Sequence, residues 1–104
     1  MAMMLVVYRT PANKEAFDKH YFDVHVPLAK KLPGLKKYEV SKGSIMPIAG
    51  AKDPYMVAML HFETLAAIRE AFGSEIGQAC ATDRKLFAPA DSDLQIFLFD
   101  TREL

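Results

Sequence analysis

Three histidines, His20, His25 and His61, are the chain's natural candidates for acid–base work. An imidazole titrates near neutral pH, so it can give and take protons under ordinary conditions. His25 flanks an apolar stripe made by Phe17, Tyr21, Val24, Leu28 and Leu32. On an α-helical wheel it lies about 80° from the stripe's centre line, at the core boundary. Pro27 follows two residues later. A kink there leaves backbone acceptors that can fix the tautomer of a nearby histidine. The spacing supports two readings equally: a working base at a pocket edge, or a boundary histidine bonded to backbone.

The other candidates carry the same kind of choice. His20 lies on the opposite flank, one turn before Asp23, and reads as half of a surface ion pair. On a regular α-helix, residues five apart diverge by about 140°, so His20 and His25 do not chelate one ion. No Glu-x-x-His or His-x-x-x-His pair occurs, and no metal or other cofactor is expected. His61 and Glu63 are two apart at a strand end and share a face. That pair is either a carboxylate-oriented base or, more simply, a surface ion pair. Tyr8 closes the first strand on an apolar face. It either packs in the core or aims its hydroxyl into a cavity. Cys80 is the only cysteine, has no flanking His or Lys, and reads as a buried structural thiol. Lys30, Lys31, Lys36 and Lys37 read as a solvated face. No glycine-rich phosphate loop, CxxC pair or G-x-S-x-G elbow is present.

The elements that must hold these groups are legible in outline. Met3–Arg9 reads as a strand ending at Thr10-Pro11. Asn13 caps a helix carrying the stripe, interrupted near residues 25–27 and ended by Pro33-Gly34. Leu35–Lys42 reads as a second strand. A long loop, Gly43–Pro54, carries Ile45, Met46 and Ile48 and is expected to pack on something. Tyr55–Phe62 is a third strand. Thr64 caps a short helix closed by Gly73, and Ser74 restarts a helix through Ile76, Cys80, Asp83 or Arg84, and Phe87. Leu94–Phe99 is the last strand. The order predicts an α+β, ferredoxin-like βαββαβ domain spanning residues 1–104, with a four-stranded antiparallel sheet and both helices on one face.

The first, third and last strands are apolar on both faces. Met4, Val6 and Tyr8 oppose Leu5 and Val7, and Tyr55, Val57, Met59 and His61 oppose Met56, Ala58, Leu60 and Phe62. Helices cover one face only, so the other is expected to meet a second copy, giving a homodimer that approximates an eight-stranded barrel. The alternative is a monomer whose long loop folds over the sheet. The first half of the chain holds nine Lys and Arg against four Asp and Glu, and the second half four against nine. The net charge of zero gives no general attraction to nucleic acid. No apolar run approaches the ~20 residues needed to cross a membrane. The opening reads as a strand rather than a signal peptide, so a cytoplasmic protein is expected.

The run His20-Tyr21-Phe22-Asp23-Val24-His25-Val26-Pro27-Leu28, continuing through Leu32-Pro33-Gly34-Leu35, resembles the signature of the EthD family. The Tyr8-Arg9-Thr10-Pro11 opening and Asp83-Arg84-Lys85-Leu86-Phe87 also fit it. The family takes its name from a protein linked to catabolism of ethyl tert-butyl ether. The resemblance implies a dimeric α/β barrel with a small-molecule pocket and makes His25 the family's motif histidine. It leaves three functions open. The first is an enzyme or accessory factor acting on an apolar, aromatic or polyketide-like molecule, with His25 moving a proton and Tyr8 and His61 assisting. The second is a non-catalytic ligand carrier or oxygenase-system partner. The third is a haem-binding relative with His25 as axial ligand.

Overall fold

A computed structural model describes residues 1–50 and 53–104. Four strands form one antiparallel sheet: β1 (Ala2–Arg9), β2 (Lys37–Val40), β3 (Pro54–Phe62) and β4 (Leu94–Asp100). Their order across the sheet is β2-β3-β1-β4, the expected ferredoxin-like arrangement. The first helical segment comprises α1 (Lys14–His20), a π-turn (Tyr21–His25) and α2 (Val26–Ala29). The second comprises α3 (Leu65–Gly73) and α4 (Glu75–Phe87).

The helix starts are where the polar caps predict. Asn13, Thr64 and Ser74 each use a side-chain oxygen to accept a backbone N–H of the first turn. Between α3 and α4 the backbones nearly touch at Gly77, where a Cβ would collide with the carbonyl of Ala71. Only glycine permits that approach.

Strand register decides which side chains face the helices. Tyr8 lies opposite Met56 and Leu94, and Val6 opposite Ala58 and Ile96. These even-numbered positions, with Tyr38 and Leu60, face the helices, which bury Val6, Tyr8, Met56, Ala58, Leu60 and Leu94 but leave Ile96 on the edge strand 45% exposed. Met3, Leu5, Val7, Val57, Met59, Phe97 and Phe99 alternate with them and point away from the helices. Among the described residues nothing covers this second face at β4, where Phe97 is 46% exposed. Tyr55 departs from the alternation. A bulge between Tyr8 and Arg9 makes it an extra residue, and its hydroxyl donates to Asp18 Oδ1 of α1 at 2.8 Å.

The loop before β3 leaves Met46 83% and Ile48 93% exposed, so it does not cover the sheet. Ile45 instead sits beside Phe22 and Tyr55 at the α1 side. Residues 51 and 52 of this loop lie outside the described residues. The second strand is shorter than Leu35–Lys42, pairing only from Lys37 to Val40.

Candidate functional site

The first helical segment is not a kinked α-helix. Every residue from His20 to Lys30 for which a cap is defined stays in right-handed helical geometry, and the Val26 N–H reaches the carbonyl of Tyr21, five residues back. Pro27 has no N–H to contribute, so the α ladder is interrupted there whatever the neighbours do. The extra residue is absorbed in a π-turn just upstream.

That turn changes which residues are buried. The stripe becomes Phe17, Tyr21, His25, Ala29 and Leu32. Val24, expected inside, is 46% exposed, and His25, expected at the boundary, is buried at 8%. An α-helix would place position 24 on the core side. One added residue in the turn hands that place to position 25.

The same turn corrects the expected divergence of His20 and His25. In a π-turn, residues five apart stand one above the other. Both histidines reach one carboxylate, Asp83 of α4. His20 Nε2–H donates to Asp83 Oδ1 at 2.8 Å, and His25 Nδ1–H donates to Asp83 Oδ2 at 2.9 Å. His20 therefore pairs with Asp83 rather than with Asp23. Asp83 is itself buried. Its position on the apolar period of α4 was the available signal, a buried acid in search of partners. What the sequence concealed was the π-turn that brings two donors to it.

The carboxylate fixes the proton inventory. An ionised Asp only accepts, so His25 must carry its proton on Nδ1, and a neutral His25 then presents a bare lone pair at Nε2. Burial pushes the His25 ring below the ordinary imidazole range, against the hydrogen bond and charge of Asp83, which pull it up. Burial pushes the Asp83 carboxyl up, but the hydrogen bonds from His25 and His20 outweigh it and hold the acid below its usual range. His25 is clamped between Phe87, at 4.8 Å between ring centres, and Tyr21, at 5.4 Å.

His25 faces a cavity of about 170 Å³ between the helices and the covered face of the sheet. This is the interior of a single chain, not the space between two facing sheets. Its walls are largely apolar, with Met4, Val6, Leu60 and Phe72 among them. Three tyrosines also line it, Tyr8, Tyr21 and Tyr38. The Tyr21 and Tyr38 hydroxyls hydrogen-bond at 2.6 Å. The Tyr21 hydroxyl also hydrogen-bonds with Tyr8, so the row of three hydroxyls spends two hydrogens in its two bonds and keeps one to donate elsewhere. Burial drives all three phenols upward, Tyr38 to about 12, so they remain hydroxyl donors at neutral pH. Arg84 also borders the cavity, its Nη1 tied to the carbonyl of Ala88 at 2.9 Å. Cys80 is buried as expected, and burial pushes its thiol up, away from a nucleophilic thiolate.

Of the three residues singled out for chemistry, the structure brings His25 and Tyr8 together at this cavity. It does not bring His61. That side chain projects from the opposite face of the sheet, where Nε2 meets Glu39 Oε1 across the strands at 3.0 Å. Glu63, its expected partner, instead lies 3.8 Å from Lys36. Among the described residues no group of three or more His, Cys, Asp or Glu side chains could hold a metal ion. No helix among the described residues is long and apolar enough to cross a membrane.

Residues 9–91 match the EthD domain. A Rhodococcus erythropolis protein, described as an uncharacterized 11.0 kDa protein in the thcB-thcC intergenic region, is 36% identical over 88 residues, covering 85% of this chain and 84% of that one. The crystal structure of an EthD family protein from Bacillus halodurans superposes with a TM-score of 0.85 at 27% identity, over 98% of this chain and 99% of that chain. SnoaB from Streptomyces nogalater, a cofactor-independent oxygenase, gives a TM-score of 0.69 at 16% identity, covering 99% and 94% of the two chains. A dimeric ferredoxin-like protein of unknown function from Thermobifida fusca gives 0.68 at 14% identity, covering 96% and 90%.

Proposed function

The chain belongs to the EthD family, and on that premise we propose that it is a homodimeric enzyme that moves a proton on a compact apolar molecule. The observation that carries this reading is the His25–Asp83 pair at the wall of the cavity. Asp83 fixes the tautomer, and the Nε2 lone pair faces whatever enters. A proton taken from substrate becomes the Nε2–H of an imidazolium, which Asp83 stabilises through Nδ1–H. Tyr8 assists through the Tyr8–Tyr21–Tyr38 row, whose one spare hydroxyl hydrogen can hold the oxygen on which negative charge develops. In this reading Tyr8 assists and His61 does not.

Size narrows the substrate. An apolar cavity of about 150 Å³ holds benzene. The comparable space here admits one ring or its aliphatic equivalent, and a larger polyketide-like molecule only by one end. A protein described as a cofactor-independent oxygenase shares this fold, which supports reading the cavity as a site for chemistry led by side chains.

The homodimer rests on the open sheet face. Seven large apolar side chains point away from the helices, and a structural relative is described as dimeric. Pairing that face with its own copy removes it from water.

The test combines capture and chemistry. The purified protein is incubated with a cell metabolite extract in deuterium oxide, and the bound small molecule is identified by mass spectrometry. The expected result is a single-ring compound that gains deuterium with the wild type and not with His25→Ala. A ligand that binds tightly and never exchanges would make the protein a carrier.

A further inference from the structure

Asp83 serves two histidines, and they open on different spaces. His25 faces the internal cavity. His20 lines a separate groove of about 490 Å³ on the outer side of the same helices, bordered by Arg9, Asn13, Phe87 and Asp93. With Nε2–H committed to Asp83, the remaining nitrogen of His20, Nδ1, is the one left to take a proton. Its side chain is 27% exposed, against 10% for His25.

We infer that His20 is a positioning residue of the same site, and that a proton taken up from the groove is communicated to His25 through the shared carboxylate. Each oxygen of Asp83 is held by one ring, so the carboxylate cannot rotate without breaking one of the two bonds. Neutral His20 thus locks the acceptor that orients His25. Protonated His20 becomes a cation against the same carboxylate and claims part of its charge. Less of that charge then supports an imidazolium at His25, and the reverse holds equally, because the coupling is reciprocal. The groups facing His25 are Asp83 and Arg84 from α4, Tyr21 from the π-turn, Tyr8 from β1 and Tyr38 from β2, with Cys80 nearby. The groove adds Arg9 and Asp93 around His20. The guanidinium groups stay charged. The three tyrosines are held as hydroxyls and the Asp83 carboxyl is held low.

The test follows His25 ring carbon–hydrogen signals by NMR from pH 8 to 5 in the wild type and in His20→Gln, whose amide can still donate to Asp83 but cannot titrate. The expected wild-type curve has two inflections, one of them coinciding with the titration of His20. In His20→Gln it collapses to one step at higher pH, an increase in proton affinity of about tenfold. A single wild-type step with the same midpoint in both proteins would overturn the coupling. If the variant does not fold, the wild-type curve alone decides, since one inflection overturns the inference and two support it. The role of His25 as base matters here only for the catalytic consequence, a loss of base strength once His20 is charged. The titration reads the coupling itself and fails or succeeds independently of any substrate.

Discussion

Mild acid should destabilise this protein through His25. Burial holds the folded ring below the ordinary imidazole range, although Asp83 works in the other direction. The unfolded chain binds the same proton near pH ~6.5. A folded value lower than the unfolded one means that the unfolded state binds more protons as pH falls past ~6.5. Stability is therefore full above that point and is lost as pH drops through the folded value. Each pH unit over which the folded ring stays neutral and the unfolded ring is charged costs about 1.4 kcal/mol. Between pH 6.5 and 5.0 the upper bound is about 2 kcal/mol, reduced by whatever proton affinity Asp83 restores. Asp83 enters at lower pH. Its carboxyl is held below the usual range, so its contribution is present above ~3.9 and vanishes as pH falls through its folded value. The window from 6.5 to 5.0 thus lies above the Asp83 titration, and the difference between the wild type and His25→Gln reports on His25. Urea unfolding at pH 7.5 and 5.0, at one fixed protein concentration because a dimer's stability depends on it, should show the wild type losing more stability than His25→Gln, by at most about 2 kcal/mol. Equal losses in the two proteins would refute the burial argument.

Other perturbations report on separate parts of the structure. Gly77→Ala drives a methyl group into the backbone of Ala71 and Phe72, and should cost about 2 kcal/mol or more in a thermal melt. Tyr38→Phe removes one member of the 2.6 Å hydroxyl pair and should lower stability by about 1 kcal/mol in urea unfolding, while weakening capture of oxygen-bearing ligands. Phe97→Asp places a charge on the open sheet face, and sedimentation analysis should find a folded monomer where the wild type is expected to be a dimer. His61→Ala leaves the cavity untouched and should change ligand turnover by less than about twofold, because its partner is Glu39 on the far side of the sheet.

The fold was legible because its signals were local and mutually consistent. Caps at Asn13, Thr64 and Ser74 and alternation in the strands each point to one chain path, and the register follows from them. The open apolar sheet face was legible for the same reason, since apolar residues at both odd and even strand positions are visible in one dimension. The site was only half legible. His25 stood out, but its partner did not, because an α-helical period places residues 20 and 25 on different sides. The π-turn depends on how Pro27 disrupts the backbone ladder, and periodicity alone does not encode where the extra residue is absorbed. The Tyr55 bulge escaped notice for a related reason. A single unpaired residue re-aims a side chain without changing the composition of its strand.

The central claim is that Asp83 holds His25 with its proton on Nδ1 and its lone pair in the cavity. Nitrogen-15 NMR of the His25 ring at pH 7.5 tests this directly. The account predicts a protonated Nδ1 and a bare Nε2 that becomes protonated only on acidification, with Asp83→Asn disturbing the preference. A resting His25 with its proton on Nε2 would contradict it, since that ring has no base to offer the cavity.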